Sequence, residues 1–298
     1  MRPEAYLDPE VISRLARLDL VARFVMEGFL AGLHRSPFKG FSVEFSAHRR
    51  YVPGDAPRRI DWKVYGRTRR HYVKEFQAET NLEAHLVVDT SGSMDYAGAR
   101  ARGLTKHRYG VCLAATLAYL MVRQRDPVGL FTFDTRLAHA AGPHATRGHL
   151  TRILTRLDGT RPAGTSNVGA CLHEVAERLA KRSLVVVISD LMDGEERVRE
   201  ALAHLAFRGH EVVVFHLLSA DERLFDVRGA SRLMDLETGE RMDVDAAEMR
   251  PRYLAELGAW QERLARECRR RRIDYVPLDT GMRFDTALMA YLSRRARG

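Results

Sequence analysis

The stretch AHLVVDTSGSMD, residues 84–95, begins as an apolar run and ends in acids, two serines and a glycine. A short apolar run without polar alternation is the pattern of a strand buried on both faces. The carboxyl end of such a strand is where the chain leaves the core. Asp89, Ser91 and Ser93 fall there at alternate positions. If the turn stays extended, alternate residues point the same way, and one carboxylate joins two hydroxyls. Gly92 lets that turn be tight.

The same grammar continues downstream. VGLFTFD (128–134), SLVVVISD (183–190), EVVVFHLL (211–218) and IDYVPLD (273–279) read as further strands. Helical spacing predicts helices over 106–125, 147–157, 167–181, 195–208, 246–272 and 284–295. Alternating strands and helices imply an α/β fold with a doubly wound, mostly parallel sheet. RLMDLETGERMDVD (232–245) breaks the alternation and reads as a small hairpin around Thr238 and Gly239.

Upstream, Asp8-Pro9-Glu10 is a helix start. Val11, Leu15, Leu18, Ala22, Val25, Phe29 and Leu33 follow on one face. FSVEFS (41–46) and YVKEFQ (72–77) alternate like strands, and a turn-rich charged stretch lies between them. The expected organisation is an N-terminal helix and β-rich charged segment over 1–83, then an α/β domain over 84–298. That domain carries a hairpin insertion near 231–245.

The chain has 298 residues and a formal net charge of +9. Its arginines are scattered and mostly alternate with acids, which suits a solvated surface. Arg269–Arg272 are four in a row, but they end a helix, where the dipole favours cations, and no aromatic platform accompanies them. A nucleic-acid partner is therefore not expected. Cys112, Cys171 and Cys268 form no CxxC pair and no Cys/His cluster, so a zinc site is not expected, and Cys112 and Cys171 read as small core residues. There is no signal-peptide pattern and no bilayer-length apolar run. The expected compartment is the cytoplasm.

Two distant features join the first turn. GTSNVGACL (164–172) sets Thr165 before a helix, and VVVISDLMDG (185–194) ends a buried strand with Asp190. In a doubly wound sheet, ligands bind beyond the carboxyl ends of strands where the strand order reverses. If the strands ending in Asp89 and Asp190 are neighbours there, Asp89, Ser91, Ser93, Thr165 and Asp190 offer five hard oxygens. Such a set suits Mg2+ or Mn2+ better than zinc. Neutral hydroxyls leave the cation under-neutralised and ready to accept a carboxylate. Four of these residues also have ordinary alternatives: Asp89 and Asp190 as caps of the next turn, Ser93 on a loop amide, Thr165 as a helix N-cap.

These residues resemble the metal-ion-dependent adhesion site of von Willebrand factor A-like domains, a Rossmann-like fold. Together with RRYVPGDAPRRIDW (49–62), DLETGER (235–241) and RIDYVPLDTG (272–281), they resemble the bacterial proteins called domain-of-unknown-function fifty-eight. The resemblance implies a divalent cation held by Asp89, Ser91, Ser93, Thr165 and Asp190. It also implies a functional partner, since such proteins are often encoded beside MoxR-type ATPases. The expected function is non-enzymatic capture of an aspartate or glutamate on a partner protein, serving complex maturation or a stress response. The alternative is a metal-dependent hydrolase or phosphoryl-transfer enzyme using the same cation as Lewis acid. No GxSxG, HExxH or GxxxxGK[ST] motif supports an enzyme.

Asp55, Arg58, Arg59, Asp61, Trp62 and Arg67 form the densest charged motif. They read as a salt-bridged platform around a packed tryptophan, with a second recognition surface as the alternative.

Overall fold

A computed structural model describes residues 8, 10, 17–35, 48–50, 65–66, 69, 72–74, 83–98, 104–227, 229–286 and 288–289. The chain divides into two compact units, 37–81 and the combination of 1–36 with 82–298. Within the small unit, β1 (His48–Arg50) pairs antiparallel with β2 (Tyr72–Lys74). The expected strand at 41–46 and the Asp55–Arg67 motif lie outside the described residues.

The large unit is built on a six-stranded sheet. Its strands are β3 (Glu83–Asp89), β4 (Val128–Phe133), β5 (Leu137–His144), β6 (Ser183–Ser189), β7 (Glu211–Leu218) and β10 (Asp274–Asp279). They lie side by side in the order β10-β7-β6-β3-β4-β5. All neighbours are parallel except β4 and β5. The chain builds outward from β3 to β4 and β5, then returns to the other side of β3 to add β6. The strand order therefore reverses at the β3–β6 pair, which opens a crevice at their carboxyl ends. This is the doubly wound α/β arrangement the alternating pattern predicted.

Helices cover both faces. α2 (Lys106–Arg123) is buried along nearly its whole length. It lies on the sheet, approaching close enough that a Cβ at Gly110 would sit 3.2 Å from Ile188. α1 (Leu18–Arg35) packs on its outer side through Leu18, Val21, Ala22, Val25, Met26 and Phe29. The N-terminal helix thus forms a third layer. Burying such side chains contributes roughly 1.5–3 kcal/mol each, which explains why a polar outer face on α2 is unnecessary. α3 (Arg147–Asp158) also packs on α2.

The opposite face carries α4 (Val168–Arg178), α5 (Glu195–Phe207) and the long α7 (Ala246–Arg270). Val87, Val185, Val187, Val212 and Val214 share one apolar cluster with Val168, Leu172, Val198, Leu202 and Leu264. Their alternate numbering is the period of two that a strand imposes. Cys112, Cys171 and Cys268 are all buried and unbridged, as small core residues.

The sequence reading did not anticipate β5. It is an edge strand whose burial alternates along its length, and its LAHAAGPH composition lacks the apolar run that marks the other strands. A short α6 (Ala220–Leu224) with a Ser219–Glu222 capping box follows β7. The expected hairpin is present as β8 (Ala230–Met234) and β9 (Arg241–Asp245). Among the described residues no helix is long and apolar enough to cross a membrane.

Candidate metal centre

β3 delivers Asp89 to the crevice with its carboxylate fully buried. One oxygen, Oδ1, accepts the Ser91 amide at 2.9 Å. The other accepts the hydroxyl of Ser189 at 2.6 Å. Ser189 ends β6, so this bond ties together the ends of the two strands that flank the reversal. Ser91 is extended (φ −66°, ψ 165°) and precedes a single 3-10 turn, Gly92–Asp95. Its hydroxyl lies 3.1 Å from that of Ser93. The three oxygen donors expected in this turn are thus gathered in one place.

A second loop closes against the turn. Ala163 donates its amide to the Thr90 carbonyl at 3.0 Å, and Gly92 donates to the Gly164 carbonyl at 2.9 Å. Gly164 has φ +73°, a left-handed conformation that suits glycine and steers the chain leaving it. The side chain of Thr165 is exposed, and its carbonyl accepts the Thr135 hydroxyl at 3.0 Å. The next residue behaves differently. Ser166 Oγ is buried and, among the described residues, has no hydrogen-bond partner. The structure therefore brings the 163–166 loop to the turn, with Thr165 exposed and the Ser166 hydroxyl buried.

Asp190 follows β6 and is also fully buried. Its Oδ1 accepts the Met192 amide at 3.1 Å. Its Oδ2 accepts Lys106 Nζ at 2.8 Å, and the same ammonium reaches Glu222 Oε1 at 2.7 Å. Lys106 opens α2 behind the N-cap Thr105 and is wholly buried. Burial works against its charge, but the charges and hydrogen bonds of Asp190 and Glu222 together overcome this and hold it above the usual lysine range. Sequence reasoning missed Lys106, because a lysine in the first turn of a helix reads as a solvated charge.

Among the described residues Asp89 has no such counter-ion. Burial first, then the charge of Asp190, pushes its carboxyl up to about 7, against weaker opposition from the Ser189 and Ser91 hydrogen bonds. A divalent cation beside it would reverse both effects. Among the described residues, no three His, Cys, Asp or Glu side chains cluster as metal ligands. The donors present are two carboxylates and several hydroxyls, with an orphaned buried hydroxyl at Ser166. That set fits a hard cation taking neutral oxygens and water, and it does not fit zinc.

Other acids at strand ends serve their own loops. Asp134 accepts the Arg136 amide at 3.3 Å, and Asp279 accepts the Gly281 amide at 2.8 Å while pairing with Arg223. In the run Arg269–Arg272, Arg270 and Arg271 pair with Glu267 on their own helix.

An uncharacterized protein of Mycobacterium tuberculosis is 28% identical over 298 residues, covering 98% of this chain and 92% of that protein. A Mycobacterium bovis protein matches to the same extent. Among solved structures, BatB from Bacteroides thetaiotaomicron aligns with a TM-score of 0.46 at 14% identity, over 73% of this chain and 100% of that one. An aerotolerance-related membrane protein from Bacteroides fragilis aligns with a TM-score of 0.47 at 17% identity, over 72% and 98%. The match that decides membership spans residues 47–263, and by it the chain belongs to the family described as "Protein of unknown function DUF58".

Proposed function

We propose that this chain is a non-enzymatic, divalent-cation-dependent protein-binding module of the von Willebrand factor A-like kind. Asp89, Ser91, Ser93 and Asp190, with a hydroxyl from the 165–166 loop, would hold Mg2+ or Mn2+. Bound there, the cation would supply a Lewis-acidic point of attachment for an aspartate or glutamate of a partner. A MoxR-type ATPase is the partner class proposed, with complex maturation or a stress response as the setting.

One observation carries this reading. The turn of Asp89, Ser91 and Ser93 and the buried Asp190 meet at the ends of adjacent parallel strands, where the strand order reverses. The protein supplies the rest of the site itself. Ser189 and the Ser91 amide orient Asp89, and Lys106 fixes Asp190. With only two carboxylates, one of them already neutralised by a lysine, the site stays electron-poor and favours a further anionic ligand.

The test is thermal unfolding in EDTA and in Mg2+, for wild type and Asp89→Asn. Wild type should gain about 2.7 kcal/mol at a hundredfold excess of Mg2+ over its Kd. Asp89→Asn should be no less stable in EDTA and should lose the gain. Equal responses in both proteins would remove the proposed site. Mg2+-dependent turnover of a phosphate ester, lost in Asp190→Ala, would replace this reading with the hydrolase alternative.

A further inference from the structure

The tip of the β8–β9 hairpin reaches the same two segments that form the candidate centre. A Cβ built on Gly92 would lie 2.9 Å from the Leu236 carbonyl oxygen and 2.9 Å from that of Gly164. The missing side chain at Gly92 is what lets the hairpin tip and the 163–166 loop both close on the serine turn. One residue beyond Leu236, Glu237 Oε2 accepts the Ser166 amide at 2.8 Å. Its other oxygen, Oε1, is buried and, among the described residues, has no hydrogen-bond partner. Ser166 Oγ, on the residue that holds Glu237, is orphaned in the same way.

The hairpin is built to hold that carboxylate in place. Asp235 Oδ1 accepts the amides of Glu237 at 2.7 Å and Thr238 at 3.2 Å, and Gly239 takes φ +75° to close the turn. Arg232 and Asp243 pair across the two strands. A carboxylate oxygen buried without a donor has lost its hydration with nothing in return. Glu237 Oε1 and Ser166 Oγ, on residues joined by that hydrogen bond, are thus two buried oxygens that call for an outside partner. A hard cation takes both a carboxylate oxygen and a hydroxyl oxygen as ligands.

We propose that Glu237 is an internal ligand of the cation at this centre, so that the hairpin covers the position a partner's carboxylate would take. The inference rests on the cation-binding reading above. It adds a residue from a separate element and a condition: a partner's acid must displace Glu237. The hairpin presents Met234, Leu236 and Met242 at 51%, 42% and 58% exposure, an apolar surface on the element that has to move.

The experiment uses the full chain and Mn2+ alone, with wild type, Glu237→Gln and Asp89→Ala. Glutamine keeps an oxygen for the Ser166 amide but removes the charge, so a purely structural role survives the change. Mn2+ affinity is read by titration calorimetry, and water access to bound Mn2+ by solvent proton relaxation. Glu237→Gln should weaken Mn2+ by no less than the roughly tenfold that losing an outer hydrogen-bond partner costs a metal site. It should also raise the relaxation enhancement per bound Mn2+, as water replaces the carboxylate. If Glu237→Gln matches wild type in both readouts while Asp89→Ala binds no Mn2+, the internal ligand is overturned and the cation site stands. If wild type and Asp89→Ala bind Mn2+ alike, the cation site itself fails and Glu237 falls with it.

Discussion

Asp89 and Asp190 end neighbouring strands, and both are fully buried, yet their surroundings differ in kind. Asp190 has a buried ammonium at 2.8 Å. Among the described residues Asp89 has only neutral donors, the Ser189 hydroxyl and the Ser91 amide. A buried charge needs a partner, and the protein provides one at Asp190 and withholds it at Asp89. One carboxylate is therefore part of the framework, and the other is the place where a cation from outside has most to offer. A residue's type says little about its role until its counter-charges are counted.

The largest test of that contrast is Lys106→Met. It strands Asp190 and Glu222 without their shared cation, and should destabilise the fold by about 3–5 kcal/mol in urea unfolding at neutral pH. A loss no larger than that of an ordinary surface change would show that Asp190 does not depend on Lys106, and the contrast would break.

A second test uses the opposite end of β3. His85 is buried near the start of that strand, and neither ring nitrogen has a partner among the described residues. Burial, then the nearby His210, lowers its pKa from 6.5 to about 4. The folded value lies below the unfolded one, so this contribution is complete above about pH 6.5 and is lost as pH falls toward 4. The loss should be on the order of 2–3 kcal/mol, and His85→Leu should flatten that acid limb while leaving any Mg2+ response intact. An unchanged acid limb in His85→Leu would place the sensitivity elsewhere, including at the strand ends.

The smallest effect separates the two adjacent hydroxyls. Ser166→Ala should weaken Mn2+ binding about tenfold, and Thr165→Val should leave it within about twofold, by titration calorimetry. The reverse order would restore Thr165 as the donor.

The two aspartates were legible in the sequence because each ends a continuous apolar run, and such runs leave the core at their last residue. The doubly wound fold was legible for the same reason: five strands announced themselves by composition. β5 did not, since an edge strand needs to bury only one side and can be built from alanine, histidine and glycine. Lys106 was hidden because burial of a lysine depends entirely on acids that arrive from β6 and α6, 84 and 116 residues away.

What the sequence by itself determined is five of the sheet's six strands, the helices between them, and the placement of Asp89, Ser91, Ser93 and Asp190 at strand ends. Local periodicity is enough for that, because the burial of a strand is written in its own residues. The counter-ion of Asp190, the burial of the Ser166 hydroxyl beside an exposed Thr165, and the close approach of the hairpin tip to the turn were decided only by tertiary structure. Each depends on a backbone conformation, such as the positive φ of Gly164, or on a close approach, such as that of Leu236 to Gly92. No pattern in one segment can specify which distant segment will stand opposite it.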